Sequence, residues 1–268
     1  MARTGLPLAL SSATYNANNQ LTQWGTANLT YDLNGNLLGD GVNNYSWDVR
    51  NQLASITAAS GGSTIGTFQY DAFGRRASKS VVGTTTGFLY DGVNTVQELS
   101  GSTPTANLLT GLGVDEVFTR TDSVGTRTFL ADALGTTLAL TDSNGAVQTQ
   151  YTYEPFGSTN FSGTASNNSF QFTGRENDGT GVYYYRARYY DPSIGRFLSE
   201  DPIAFNAGLN FYGYVNDNLL NFADPTGLYD KGDFWKAWSH YCDGSGTPWS
   251  APSVQLTGVP HKTTSIPR

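Results

Sequence analysis

The chain has 268 residues, of which 13% are aromatic, 31 are glycine and only 14% are charged, against a usual charged share of about 25%. Its net charge of −7 argues against nucleic acid as a partner of the whole chain. The one cysteine, Cys242, excludes an internal disulfide, and no stretch approaches the roughly 20 apolar residues of a membrane helix.

Residues 1–19 read as a ragged N-terminus. The opening MARTGLPLAL has one Arg and a short apolar run at 6–10, too short for the core of a signal peptide. From residue 20 an aromatic followed by Asp recurs: Tyr31-Asp32, Trp47-Asp48, Tyr70-Asp71 and Tyr90-Asp91. YDLNGNLL (31–38) and YDAFGRRA (70–77) place Gly four positions after the Tyr, and YEPFGS (153–158) keeps the frame with Glu154 for Asp. The chemistry of the unit is direct. The aromatic ends a strand and packs on a neighbour. The Asp carboxylate accepts backbone N–H bonds about two residues on, which starts a turn, and Gly takes the positive φ that lets the chain reverse. An alternating strand such as Thr136–Thr141 follows. No helical period persists before residue 229. The expected fold is all-β: one curved or spiralling antiparallel sheet of hairpins over 20–171, with any helix confined to a short C-terminal tail.

Residues 172–228 differ. RARYYDPSIGRFLSEDP (186–202) and DPTGLY (224–229) set paired Tyr, Arg and two Asp-Pro pairs close together. Arg186 and Arg188 read first as hairpin residues that pair with nearby carboxylates. Asp201 and Asp224 carry two readings. As turn formers they do no chemistry. Brought close, two carboxylates cannot both ionise easily, and one activates water while the other protonates a leaving group. Arg196 either tunes Asp201 or makes a surface salt bridge, and Glu200 beside Asp201 is expected to raise its pKa.

These repeats resemble the YD repeats of Rhs proteins, of insect ABC toxin C subunits and of teneurins. FTGRENDGTGVYYYRARYYDPSIGRFLSEDP (172–202) with GLNFYGYVNDNLLNFADPTGL (208–228) resembles the RHS repeat-associated core. The resemblance implies a β-strip that spirals into a shell, a core segment that plugs one end, and a variable toxin after the DPxGL motif. It also implies an aspartyl self-protease, for which Asp201 and Asp224 are the candidates, cutting once between Leu228 and Tyr229. Implied partners are further shell repeats or a parent chain, the chain's own C-terminal peptide, a secretion apparatus and a cognate immunity protein. The implied route is export from the cytoplasm by a secretion apparatus. No cofactor or metal is implied. The alternative is a structural or surface-interaction β-repeat module without cleavage, and the repeat region is shorter than a full shell needs.

Residues 229–268 change composition, with three Trp, both His and the only Cys. Asp233–His240 suits a short helix. His240, Cys242 and His261 match no metal-ligand frame and no Cys-His nucleophile pair. The tail reads as a toxin stub or truncated cargo.

Overall fold

The computed structural model describes residues 12–204 and 208–228. The expectations for 229–268, the helix and the His and Cys residues included, lie outside the described residues, as do residues 1–11.

The chain is all-β. Fourteen strands, from β4 (Thr30–Tyr31) to β17 (Thr159–Gly163), form one sheet in strict sequence order, each antiparallel to the next. A three-stranded sheet, β1 (Ala13–Tyr15), β2 (Leu21–Trp24) and β3 (Ala27–Asn28), precedes it. A four-stranded sheet follows, made of β18 (Glu176–Asn177), β19 (Tyr183–Tyr185), β20 (Arg188–Asp191) and β21 (Arg196–Phe197). The long strip was expected; its separation from two smaller sheets was not. Three-residue 3-10 turns at Phe172–Gly174 and Val215–Asp217 show that helical turns are not confined to the tail. Among the described residues no helix is long and apolar enough to cross a membrane.

The repeat works as its residue types require. Asp32 Oδ1 accepts the Asn34 and Asn36 amides, Asp48 Oδ1 those of Arg50 and Gln52, and Asp71 Oδ1 those of Phe73 and Arg75. Gly35 and Gly74 take φ of 78° and 80°, and Asn51 stands in for the glycine at 58°. Asp132 and Asp142 build the same turn. Asp132 escaped the sequence pattern because Ala, not an aromatic, precedes it. Tyr90-Asp91 departs from the pattern. Asp91 lies in register with Asn94, and Gly92-Val93 make a two-residue hairpin loop instead.

Each aromatic ties its hairpin to an earlier strand. The hydroxyls of Tyr31, Tyr70, Tyr90 and Tyr153 donate to the carbonyls of Leu21, Leu53, Arg76 and Thr137, and the Trp47 indole donates to Leu37. The register also shifts beside Tyr31, Trp47, Tyr70 and Tyr90. Such bulges bend a strand and add twist, so a repeated bulge curls the strip.

The curl encloses the core segment. Laid flat, fourteen strands at about 4.8 Å spacing would span about 60 Å. Yet this one segment bonds to both ends of the strip. Tyr212 donates to the Gly35 carbonyl at 2.7 Å, the Thr173 amide to Thr136 Oγ1 at 3.2 Å, and Tyr190 to the Phe156 carbonyl at 2.9 Å. One hydrophobic core joins Leu37, Leu53, Ile56 and Phe68 of the strip to Val182, Tyr184, Tyr189 and Leu198. A second is aromatic and mostly internal to the segment: Phe172, Tyr183, Tyr185, Tyr190, Phe197 and Tyr214.

A buried ion cluster pins segment to strip. Arg76, fully buried at the start of β9 (Arg76–Val81), meets Glu176 at 2.5 Å and also Asp178, which Lys79 reaches at 2.6 Å. The Arg76 guanidinium lies over the Tyr184 ring at 4.2 Å.

Candidate functional site

β20 runs antiparallel to β19 and delivers Arg188 into the interior, and the segments after β21 bring Asp201 and Asp224 to meet it. Arg188 Nη2 lies 2.7 Å from Asp201 Oδ2 and 3.3 Å from Asp224 Oδ2, with all three side chains about 1% exposed. The two carboxylates therefore converge, through one shared guanidinium nitrogen. Arg188 also donates through Nε to the Gly227 carbonyl and through Nη1 to that of Phe211 at 2.9 Å, and its Cζ lies 3.6 Å from the Phe197 ring centroid.

Asp224 holds the chain that follows it. Its Oδ1 accepts the Leu228 amide at 3.0 Å and the Thr226 hydroxyl at 3.4 Å. The Ala187 amide donates to the Thr226 carbonyl at 3.1 Å. Gly227 has φ of 70°, and a Cβ there would lie 2.3 Å from the Tyr185 carbonyl oxygen and 3.1 Å from the Arg188 nitrogen, so only glycine fits. Residues 224–228 are thus strapped against the 185–188 turn. Leu228 and Asp201 both line a cavity of about 750 Å3, whose other wall is the strip, with Arg50, Arg75 and Tyr90. Tyr229, the far side of the expected scissile bond, lies outside the described residues.

Electrostatics separates this site from the turns of the repeats. Burial pushes both Asp201 and Asp224 above the ordinary carboxylate range, and Arg188 pulls each back without cancelling the rise; for Asp201, the Asp224 charge adds to it. Burial also lowers Arg188 against the pull of the two carboxylates. One positive charge between two buried carboxyls favours a state with one of them protonated, which is the arrangement for paired acid and base chemistry.

Two expected neighbours are elsewhere. Arg196 donates to the Asn19 carbonyl and to Asn210, and lies over the rings of Tyr15 and Tyr212. It points to the outside of β21, because strand alternation sends it away from the buried Phe197. Glu200 faces Gly35 and the Tyr212 hydroxyl and has no part in the shift of Asp201. Arg188, read only as a hairpin residue that pairs with carboxylates, pairs with these two. Arg186 pairs with Asp115 of the strip. Among the described residues no group of His, Cys, Asp and Glu is arranged to hold a metal.

The pH dependence of stability follows from opposed shifts. Burial raises Asp178 and Asp115, but their arginine partners, with Lys79 for Asp178, lower them further, so both end below the ordinary value. Their contribution is present above the unfolded value of about 3.9 and is lost as pH falls through the lower folded one. Asp201 and Asp224 act in the opposite sense, and their stabilisation grows as they take up protons. The thermal midpoint is expected to rise from neutral to mildly acidic pH, then to drop below about pH 4. A midpoint that falls steadily from pH 7 downward would contradict these assignments.

The comparisons with known proteins agree with this architecture. The Teneurin YD-shell family model matches residues 8–220. The tRNA3(Ser)-specific nuclease WapA of Bacillus spizizenii is 31% identical over 226 residues, 81% of this chain and 10% of its own length. Toxin subunit YenC2 of Yersinia entomophaga is 39% identical over 92 residues, 32% of this chain and 10% of its own length. The chain thus spans about a tenth of the length of these relatives. Among solved structures, the Photorhabdus luminescens Tc holotoxin pore superposes with a TM-score of 0.63 at 22% identity, over 82% of this chain and 13% of the other. With the sheet order, the Asp turns and this match over most of its length, the chain belongs to the Teneurin YD-shell family.

Proposed function

We propose that the chain is the C-terminal shell and core segment of a toxin-type YD-shell protein, and that residues 172–228 hold the C-terminal peptide and cut it once after Leu228. The observation that carries this reading is the convergence of two buried carboxylates of raised pKa on Arg188, which with Asp224 holds the strapped peptide that ends at Leu228. The ionised member takes a proton from a water that attacks the Leu228 carbonyl, and the protonated member gives its proton to the Tyr229 nitrogen. Arg188 holds the pair at one charge and grips the peptide at Gly227. The substrate is held in cis, so effective concentration supplies much of the rate. The names of the relatives, a nuclease and a toxin subunit, support a shell that carries an effector. Among the described residues the strands β1 and β17 are edge strands and largely exposed, and such edges suit pairing with further repeats of a parent chain. A secretion apparatus and an immunity protein are the partners such a role calls for. N-terminal sequencing of the small product tests the position of the cut and is expected to begin at Tyr229; a start elsewhere would contradict it.

A second reading has one observation in its favour. Asp224 Oδ1 accepts the Leu228 amide much as Asp32, Asp48 and Asp71 accept theirs in the repeats. On that reading the segment is a structural plug without cleavage.

A further inference from the structure

The peptide before the proposed cut is held by the shell as well as by the core segment. Asp115 lies in the loop between β12 (Thr103–Thr110) and β13 (Val117–Asp122), in the middle of the strip, with φ of 65°. Its amide donates to Asn94 Oδ1 at 3.0 Å, and the same Asn94 donates to the Gly113 carbonyl at 2.9 Å, which pins the loop. The buried Asp115 carboxylate receives both Arg175 and Arg186, the latter through two nitrogens at 2.8 and 2.5 Å. Both guanidiniums then donate onward to one atom, the Pro225 carbonyl oxygen. Arg186 is itself at φ of 58°, a left-handed conformation that costs an ordinary side chain energy, so the fold maintains this geometry against strain. The carbonyl so gripped lies between Asp224 and the proposed scissile bond.

Resting on the cleavage reading above, we infer that Asp115 is a positioning residue. Through Arg175 and Arg186 it fixes the 224–228 strap, and so makes cleavage wait until the β12–β13 hairpin has closed over the core segment. The consequence is a checkpoint: a strip that has not curled around its plug lacks the anchor, and the cargo stays attached. Asp115 touches no reacting atom. Its effect passes through two side chains, and a displacement of about 1 Å at a reacting centre costs up to about a hundredfold in rate.

Two measurements on the full chain test this. In the first, chains pulse-labelled in cell-free translation are chased, and the appearance of the 229–268 fragment is timed. Asp115→Asn is expected to slow cleavage at least about tenfold, and Asp115→Glu to recover part of the loss. Glu98→Gln serves as the control, because it breaks another buried ion pair of the strip, with Arg120, away from the strap. Equal slowing by Asp115→Asn and Glu98→Gln, at matched thermal midpoints, would reduce Asp115 to a stability residue and overturn the inference. The second measurement does not need cleavage. In an Asp201→Asn background, amide exchange at Ala187 and Leu228, the donors that hold the strap, is expected to quicken with Asp115→Asn and not with Glu98→Gln. Unchanged exchange overturns the inference on its own, whereas a wild-type chain that never cuts but shows the exchange effect overturns the cleavage reading and the checkpoint while leaving the anchor.

Discussion

Asp224→Asn leaves the chain whole. Asparagine keeps the shape of the side chain and its carbonyl oxygen for the Leu228 amide, so the strap persists while the carboxyl chemistry is gone. Acid–base groups of this kind typically contribute roughly 10²–10⁴-fold to a rate, enough to remove the 229–268 product over hours of expression. Asp201→Asn is expected to do the same, since the pair works as a unit and Arg188 retains one carboxylate partner in either variant. The pH profile follows from the raised carboxyls: one proton must remain on the pair, so cleavage proceeds at mildly acidic to neutral pH and slows as that proton is lost at higher pH. Cleavage that persists in both variants would make the two residues turn formers and assign the cut to another group.

Arg76→Ala is expected to be the most damaging single change to the fold. The side chain is fully buried between Glu176, Asp178 and the Tyr184 ring; without it Asp178 keeps only Lys79, and Glu176 only Arg175 at 3.8 Å. Breaking a buried ion pair by removing one partner costs about 3–5 kcal/mol, a large share of the stability of an ordinary domain. Denaturant unfolding should show the loss as a lowered midpoint. Adding Glu176→Gln to Arg76→Met should recover part of it, because the Glu176 charge is then gone and Asp178 keeps Lys79 as its partner. A loss below about 1 kcal/mol for Arg76→Ala, within the range of exposed pairs, would show that the cluster does not dock the segment.

The strip was legible because its repeat is local. Asp, Gly and the aromatic act within six residues of one another, so each turn can be read from its own letters, and Asp132 was missed only where Ala replaced the aromatic. The division into three sheets was not legible, since it depends on where pairing stops between neighbouring strands. At the site, Asp201 and Asp224 stood out as two Asp-Pro pairs, but their link did not. Arg188 looked like any hairpin arginine until β19 and β20 turned it inward. Arg196 was misplaced for the converse reason: nearness in sequence to Asp201 outweighed the alternation that points it away from Phe197. Asp115 sits in a loop without a motif, and only the curl of the strip brings it to Pro225.

The intact mass of the purified, folded chain tests the central claim most directly. Two species are expected, residues 1–228 and residues 229–268, still associated until denatured, with the uncut mass restored in Asp224→Asn. A wild-type chain that is folded, by its β-type circular dichroism and cooperative unfolding, and that carries the single mass of residues 1–268 would contradict it.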